Sequence, residues 1–356
     1  MSEEIELLEQ TLDALFARHC GPAERTAAAQ GLLPERLWAR LVETGLTDLG
    51  APDSGAGLPE LVAVAMAVGR AAAPVPLAEA SGLASWLLGA TGLDPADGLL
   101  GCATTHPDDD LRLVGGEPAA PVVRGVLTRV PWGAAAGHVV ALARSDRGPV
   151  VVLLPAATQV ERGANLADEP RDTLRYADVT AVAAAPAPVD AAAVLRRGAL
   201  LRAAATAGAA GRVLELALAY AGAREQFGRP IATFQAVQHH LVVMAEEVAA
   251  VDLAVRVAAL AGPDTEALAV AAAKVAAGTA AAEVTRRGHQ VFGAIGATIE
   301  HPLHHYSKRL WSWQDEFGTD RQWSGVIGRA AVGAGADALW PTVSAPLDPA
   351  PEAALR

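Results

Sequence analysis

The chain has 356 residues, enough for two or three domains and a sizeable core. Its 40 acidic side chains outnumber 28 basic ones, and the net charge of −12, spread along the chain, argues against a nucleic-acid partner. Only Cys20 and Cys102 are present, in no C-x-x-C pair, so neither a disulfide framework nor a metal centre is expected, and a reducing cytoplasm is the expected compartment.

The acidic start Met1-Ser2-Glu3-Glu4 lacks the pattern of a secretory leader. The alanine-rich runs carry Glu246, Glu247, Asp252 and Arg256, so no membrane association is expected. Ile5, Leu8, Leu12, Leu15 and Phe16 recur at three- and four-residue steps and predict an amphipathic helix over 3–20. A second helix is predicted from Leu33 to Leu41, with Pro34 near its first turn and Gly45 beyond its end. Residues 50–57 form a Gly/Pro/Asp turn cluster, followed by helices over 58–71 and 77–90. Short valine-rich runs at 111–114, 121–130, 139–143, 150–154 and 177–182 predict an antiparallel β-domain. Helix returns near 189 and continues to 333, with breaks expected at Pro263 and Gly288. Ile231, Phe234, Gln238, Leu241, Ala245 and Val248 share one helical stripe; Gln235, His239, Val242 and Glu246 form another. After Trp340 a proline-rich tail is expected to be loosely docked.

Between two alanine-rich helical runs stands Arg224-Glu225-Gln226-Phe227-Gly228-Arg229-Pro230-Ile231-Ala232-Thr233-Phe234-Gln235. Packing alone would not choose such a charged, aromatic break. Further on come Gln290-Val291-Phe292-Gly293-Ala294-Ile295-Gly296 and Glu300-His301-Pro302. The two segments resemble, in order and spacing, the R-x-x-F-G-x-P-I/L-x-x-F/H-Q and Q-x-x-G-G-x-G…E-x-P elements of acyl-CoA dehydrogenases. The helix–strand–helix order extends that resemblance over nearly the whole chain. It implies an α+β, mainly α fold: an N-terminal all-α domain (1–100), a middle antiparallel β-domain (101–187), a C-terminal four-helix bundle (188–335) and a tail (336–356).

The resemblance also implies FAD and an acyl-CoA or other acyl thioester. Arg224 would grip the pyrophosphate, since a guanidinium holds two oxygens in a planar fork. Phe227 would lay a flat apolar face on a ring, with Gln235 one turn into the next helix. Gln290, Gly293 and Gly296 would meet the adenosine end, where glycine lets backbone approach; Ala294 departs from the pattern. In the family these groups serve FAD held mainly by a neighbouring subunit. Thr319, after Gly318, matches the family's E-G-T segment and is a further cofactor-binding candidate.

The dehydrogenation removes an α-proton beside the thioester while a β-hydride goes to flavin, so a carboxylate base is needed. The position before Gly318-Thr319 that carries this Glu in the family is Phe317. The family's minority location falls near Gly198, and no carboxylate follows on that helix until Glu215. Glu316, one residue earlier, is the remaining catalytic candidate and requires a shifted backbone, because one residue turns a side chain by about 100°. The W-I-T/S segment of the family corresponds to Arg129-Val130-Pro131-Trp132, and Pro131 has no N–H to donate. The T-E-P-x-x-G-S-D segment is reduced to Thr104-Thr105-His106-Pro107-Asp108.

Residues that would serve a partner's FAD are thus kept, and those that would serve the chain's own are lost. This resembles the short non-catalytic subunit of heteromeric, sterol-side-chain-type acyl-CoA dehydrogenases. It implies a second acyl-CoA dehydrogenase subunit, a heterotetramer, and an electron-transfer flavoprotein as acceptor. The alternatives are a self-sufficient homomer using Glu316, a flavin-free scaffold of the same fold, and an enzyme acting on a carrier-protein thioester. No metal is expected: His239-His240 diverge around a helix, and His301, His304 and His305 lack an H-E-x-x-H partner. Trp311, Trp313 and Trp323 read as core packing, or as the floor of a bulky acyl site.

Overall fold

The computed structural model describes residues 3–118, 120–337 and 340; the expected tail after Trp340 lies outside them. The first helix, α1 (Glu3–His19), buries Leu12 and Phe16 from the predicted stripe. Apolar periodicity does not reveal α2 (Pro22–Ala29), whose one buried side chain is Ala28. Pro22 in its first turn starts it, and the Glu24 carboxylate accepts the Gly21 N–H at 2.8 Å. Next come α3 (Glu35–Glu43) and α4 (Leu58–Ala71). The run predicted at 77–90 is α5 (Leu77–Glu79), a buried π turn (Ala80–Ser85) and α6 (Trp86–Thr91). Arg197 Nε donates to the Gly82 carbonyl at 2.6 Å in that widened turn, and its guanidinium lies 4.5 Å over the Trp86 ring.

Eight strands form one sheet: β1 (Leu100–Cys102), β2 (Asp110–Glu117), β3 (Ala120–Pro131), β4 (His138–Ser145), β5 (Gly148–Pro155), β6 (Gln159–Glu161), β7 (Arg171–Thr180) and β8 (Ala183–Pro186). The order is β6-β7-β3-β2-β4-β5-β8, with β1 also on β4. The pairings are antiparallel except β1 with β4 and β2 with β4, which run parallel. Leu111, Val123, Leu127, Val139, Val152 and Leu174 form its core.

The helical run after the sheet opens with α7 (Ala191–Ala223). A small hairpin, β9 (Glu225–Gln226) and β10 (Arg229–Pro230), leads into α8 (Gln235–Ala259), then α9 (Glu266–Phe292), α10 (Leu303–Trp313) and α11 (Asp320–Ala334). Pro263 lies in the α8–α9 connection, as expected. Gly288 does not break the chain: it is buried within α9. A Cβ there would come within 3.0 Å of Val213 Cγ1, so the glycine serves close helix packing. α9 is apolar and long enough to cross a membrane by composition, but many of its side chains line the bundle core.

The chain divides into two compact units, residues up to 64 with 73–201, and 65–72 with 202 onward. The second unit includes the last turns of α4, which α7 meets at two glycines. A Cβ on Gly69 would lie 1.9 Å from the Ala205 carbonyl oxygen, and one on Gly208 would lie 1.9 Å from that of Met66. Val213, Leu241, Met244, Val284, Phe292 and Trp313 join α7 to α10 in one core.

Candidate functional site

At the end of α7 the chain must reverse within a few residues. Arg229 pairs with Gln226 and Pro230 with Glu225, which leaves Phe227-Gly228 as a two-residue loop. Both have positive φ, 53° and 77°. This is the type I′ geometry that suits hairpin twist. Glycine adopts it freely; phenylalanine does so at a cost of roughly 1–2 kcal/mol. Phe227 is nonetheless held there and is 92% exposed. Its ring meets Phe234 edge-on, with centroids 6.0 Å apart, and the Arg229 guanidinium caps the Phe234 ring at 4.4 Å. The Ile231 N–H donates to the Arg224 carbonyl at 2.8 Å and closes the loop.

The second motif lies at the same end of the bundle. Tyr220, in the last turn of α7, packs at a tilt on Phe292, the last residue of α9, with centroids 5.1 Å apart; Phe292 in turn meets His301 at 4.4 Å. Gly293 has φ 62° and open space where a Cβ would be. Gly296 differs: a Cβ would lie 2.8 Å from Phe292 Cβ, so packing requires this glycine. Arg224, Gln235 and Gln290 are exposed, and among the described residues no hydrogen bond or ion pair engages their side chains. The fold thus gathers Arg224, Phe227, Gln235, Gln290 and Gly293 with their functional groups open to an outside ligand. Burial and neighbouring arginines hold His240 below the usual imidazole range; burial does the same to His289 and His301. Arg224 is an exposed guanidinium at the loop base.

Glu316, Phe317 and Thr319 lie elsewhere. Glu316 is buried, and its Oε2 sits 2.9 Å from Nε of the equally buried Arg202. The Arg202 guanidinium also lies 5.1 Å over Trp313 and 5.8 Å over Phe317. Lys274 on α9, only 1% exposed, donates from Nζ to the carbonyls of Trp313 and Gln314 at 2.9 Å each. It thereby caps the C-terminus of α10, where a cation is favoured. Burial beside Arg202 lowers its pKa to about 8. Phe317 is buried with φ 56°, and its carbonyl accepts the Trp323 indole N–H at 3.0 Å. Thr319 starts α11: its N–H donates to Gln322 Oε1 at 2.8 Å, and its hydroxyl accepts the Gln322 N–H. Four independent anchors therefore fix the 313–320 backbone. Arg202 and Arg224 are 22 residues apart on or just beyond α7, about 33 Å at 1.5 Å per residue.

In the sheet, Pro131 and Trp132 are buried, and the Trp132 N–H donates to the Pro170 carbonyl at 3.3 Å. The Thr105 hydroxyl donates to its neighbour's carbonyl, Thr104, at 2.7 Å. The Trp132 N–H and the Thr105 hydroxyl are thus both engaged within the fold. Among the described residues no group of three or more metal-ligand side chains converges. Trp313 and Trp323 are buried, while Trp311 stacks on His289 with centroids 6.0 Å apart.

Residues 190–330 match the family model described as "Acyl-CoA dehydrogenase, C-terminal domain". The acyl-CoA dehydrogenase IpdE2 of Mycobacterium tuberculosis (strain ATCC 25618 / H37Rv) is 33% identical over 314 residues, covering 86% of this chain and 91% of that protein. The chain belongs to the acyl-CoA dehydrogenase family. IpdE2 of Mycolicibacterium smegmatis (strain ATCC 700084 / mc(2)155) is 31% identical over 326 residues, 87% of this chain and 93% of its own length. The fold matches a chain in the crystal structure of the ChsE4-ChsE5 complex from Mycobacterium tuberculosis, with a TM-score of 0.77, 23% identity, and coverage of 94% of this chain and 99% of that one.

In this member of the family, Phe317 stands before Gly318-Thr319. Sequence reasoning missed Arg202 and Lys274. Both sit in long alanine-rich runs, and a basic residue on such a helix reads as solvated. The available signal was Arg202's place: it lies one turn past Gly198, on the same helix face.

Proposed function

We propose that this chain is a subunit of a FAD-dependent acyl-CoA dehydrogenase, lending contacts to FAD held chiefly by a partner subunit that also supplies the catalytic base. The observation that carries this reading is the split between the two clusters. Arg224, Gln235 and Gln290 are open and unengaged at one end of the bundle, with the exposed Phe227 ring beside them. Glu316, the one carboxylate beside the family's base position, is closed into a buried pair with Arg202 about 33 Å along α7.

FAD, when bound, accepts the hydride from the β-carbon of the acyl thioester. The Arg224 guanidinium offers two parallel N–H groups to pyrophosphate oxygens. Phe227, already held outward, loses little freedom when a ring covers it. Gln290 presents its amide to the adenosine side, Gln235 offers another near the same cofactor, and Gly293 leaves its backbone approachable. Gly296 shapes that turn by admitting Phe292. Thr319 remains the one candidate contact beside the Phe317 turn. The α-proton of the substrate goes to a carboxylate of the partner, since Phe317 bears no base.

The names of two structurally similar assemblies, the ChsE4-ChsE5 complex and the Tcur3481-Tcur3483 steroid enzyme, each join two chains and support a heteromeric reading. A sterol-derived acyl thioester and an electron-transfer flavoprotein acceptor are part of the proposal. The test uses the assembled enzyme. Arg224→Ala should lower FAD occupancy, and Glu316→Gln should leave turnover per folded complex within about threefold, far less than the loss expected for a catalytic base. Loss of turnover in Glu316→Gln with FAD fully bound would instead make the chain its own catalyst.

A further inference from the structure

Residues 293–302 join α9 to α10, and His301 closes this turn at both ends. Its ring rests at a tilt on Phe292, the last residue of α9, with centroids 4.4 Å apart. Its Nδ1 accepts the N–H of Leu303, the first residue of α10, at 3.2 Å. Its carbonyl accepts from His304 Nδ1 at 2.8 Å. Phe292 and Leu303 in turn clamp Gly296: a Cβ there would lie 2.8 Å from Phe292 Cβ and 3.1 Å from Leu303 Cδ2. One imidazole thus ties the end of α9 to the start of α10 around the glycine turn.

These contacts answer differently to a proton. An accepting ring nitrogen carries no hydrogen, so the Leu303 bond requires the Nε2–H tautomer of His301. Protonating Nδ1 sets two hydrogens against each other and puts a cation at the N-terminus of α10, where the helix dipole disfavours it. A carbonyl only accepts, so His304 already donates from Nδ1, and its bond survives acid. Burial first, then His304 on α10 and His289 on α9, hold His301 below the usual imidazole range. His305 adds another imidazole, 3.9 Å from His304 between ring centroids. Tyr220 of α7 meets the same Phe292 ring. Glu300, the neighbouring carboxylate, is exposed and is held low by its own N–H and by Thr298.

We propose that His301 is a positioning residue for the cofactor contacts of Gln290 and Gly293, an acid-labile latch whose neutral imidazole closes the turn and whose protonation releases it. The inference rests on the function proposed above and adds pH regulation to that site. The closed turn refuses the proton and the open turn takes it. As pH falls below about 6.5, the ordinary imidazole value, opening therefore becomes more frequent, by up to about tenfold per pH unit. Asparagine is the informative replacement. Its side-chain oxygen also accepts the N–H two residues on, and it does not titrate.

The test reads amide hydrogen exchange of Leu303 in the full chain, as protection relative to the intrinsic rate at each pH. From about pH 7.5 to about pH 5, wild-type protection should fall about fivefold or more. His301→Asn should hold it within about twofold over that range, and His301→Ala should show low protection throughout. In the assembled enzyme, FAD retention of the wild type should fall over the same interval, and His301→Asn should abolish the fall. A histidine that only filled space would give wild type and His301→Asn the same pH profile of exchange, and that result overturns the latch. Exchange that follows pH while FAD retention does not overturns the positioning role. A complex that carries no flavin at any pH sinks the functional reading instead, and the exchange measurement still decides the latch.

Discussion

Arg202 Nε lies 2.9 Å from Glu316 Oε2, and neither side chain reaches solvent appreciably. Desolvating such a pair costs several kcal/mol per ion, offset by mutual attraction and by the Trp313 and Phe317 rings around the guanidinium. Removing one partner deprives the other buried charge of its counter-ion at 2.9 Å. Glu316→Gln or Arg202→Met should therefore destabilise the chain by about 3–5 kcal/mol. The double change Arg202→Met/Glu316→Leu should recover most of that loss. Urea unfolding of the four forms, compared as a cycle, measures this; equal losses for single and double variants would contradict it.

Lys274 gives the chain a particular pH dependence. Its folded pKa, about 8, lies below the usual lysine value, so between pH 8 and about 10.5 the unfolded chain holds a proton that the folded chain has released. The burial penalty is full below pH 8 and fades as pH rises, with a slope approaching 1.4 kcal/mol per pH unit at about its steepest. Burial raises Cys102 and Tyr176, which act oppositely: each keeps its proton in the fold where the unfolded chain loses it. The comparison is therefore wild type against Lys274→Met, in which those two groups are common. Wild type should gain on the variant from pH 8 to 10. A constant difference over that range would contradict the assignment.

Phe227 is held at φ 53° with its ring in solvent, so the fold gains little from it. Phe227→Gly should raise stability by up to about 1 kcal/mol by relieving the left-handed strain. It should also weaken FAD retention in the assembled enzyme. Opposite signs for melting temperature and flavin affinity are the expected outcome. A variant that loses stability would show the ring serving the fold.

Arg224→Ala removes an exposed, unengaged side chain, so stability should change by less than about 0.5 kcal/mol. FAD titration of the complex should show weakening of about tenfold or more, as for loss of a charge-assisted hydrogen bond. Arg224→Lys should recover only part of it, because an ammonium lacks the fork.

Much of this architecture is legible in the sequence. Three- and four-residue spacing gives α1 and α3, and valine-rich runs between Gly and Pro give the strands. Local rules fail where the cause is local but not apolar, as in α2, which rests on Pro22 and Glu24. They also fail where the cause lies far along the chain. Gly288 has the appearance of a break, but Val213 of another helix explains it. Pairing of Arg202 with Glu316 and capping of α10 by Lys274 are tertiary events with no periodic signature. Residues that meet solvent at the motif end were legible because burial does not explain them. The fate of Glu316 was not, because its partner lies on α7, with three helices between them in the chain, in a run of alanines.

The flavin content of the chain purified alone, set beside that of its assembled complex, tests the central claim most directly. Colourless, inactive protein alone and a yellow, active complex whose FAD is lost with Arg224→Ala are the predicted results. A yellow homomer of this chain that turns over acyl-CoA unaided, and stops when Glu316 becomes Gln, would contradict it.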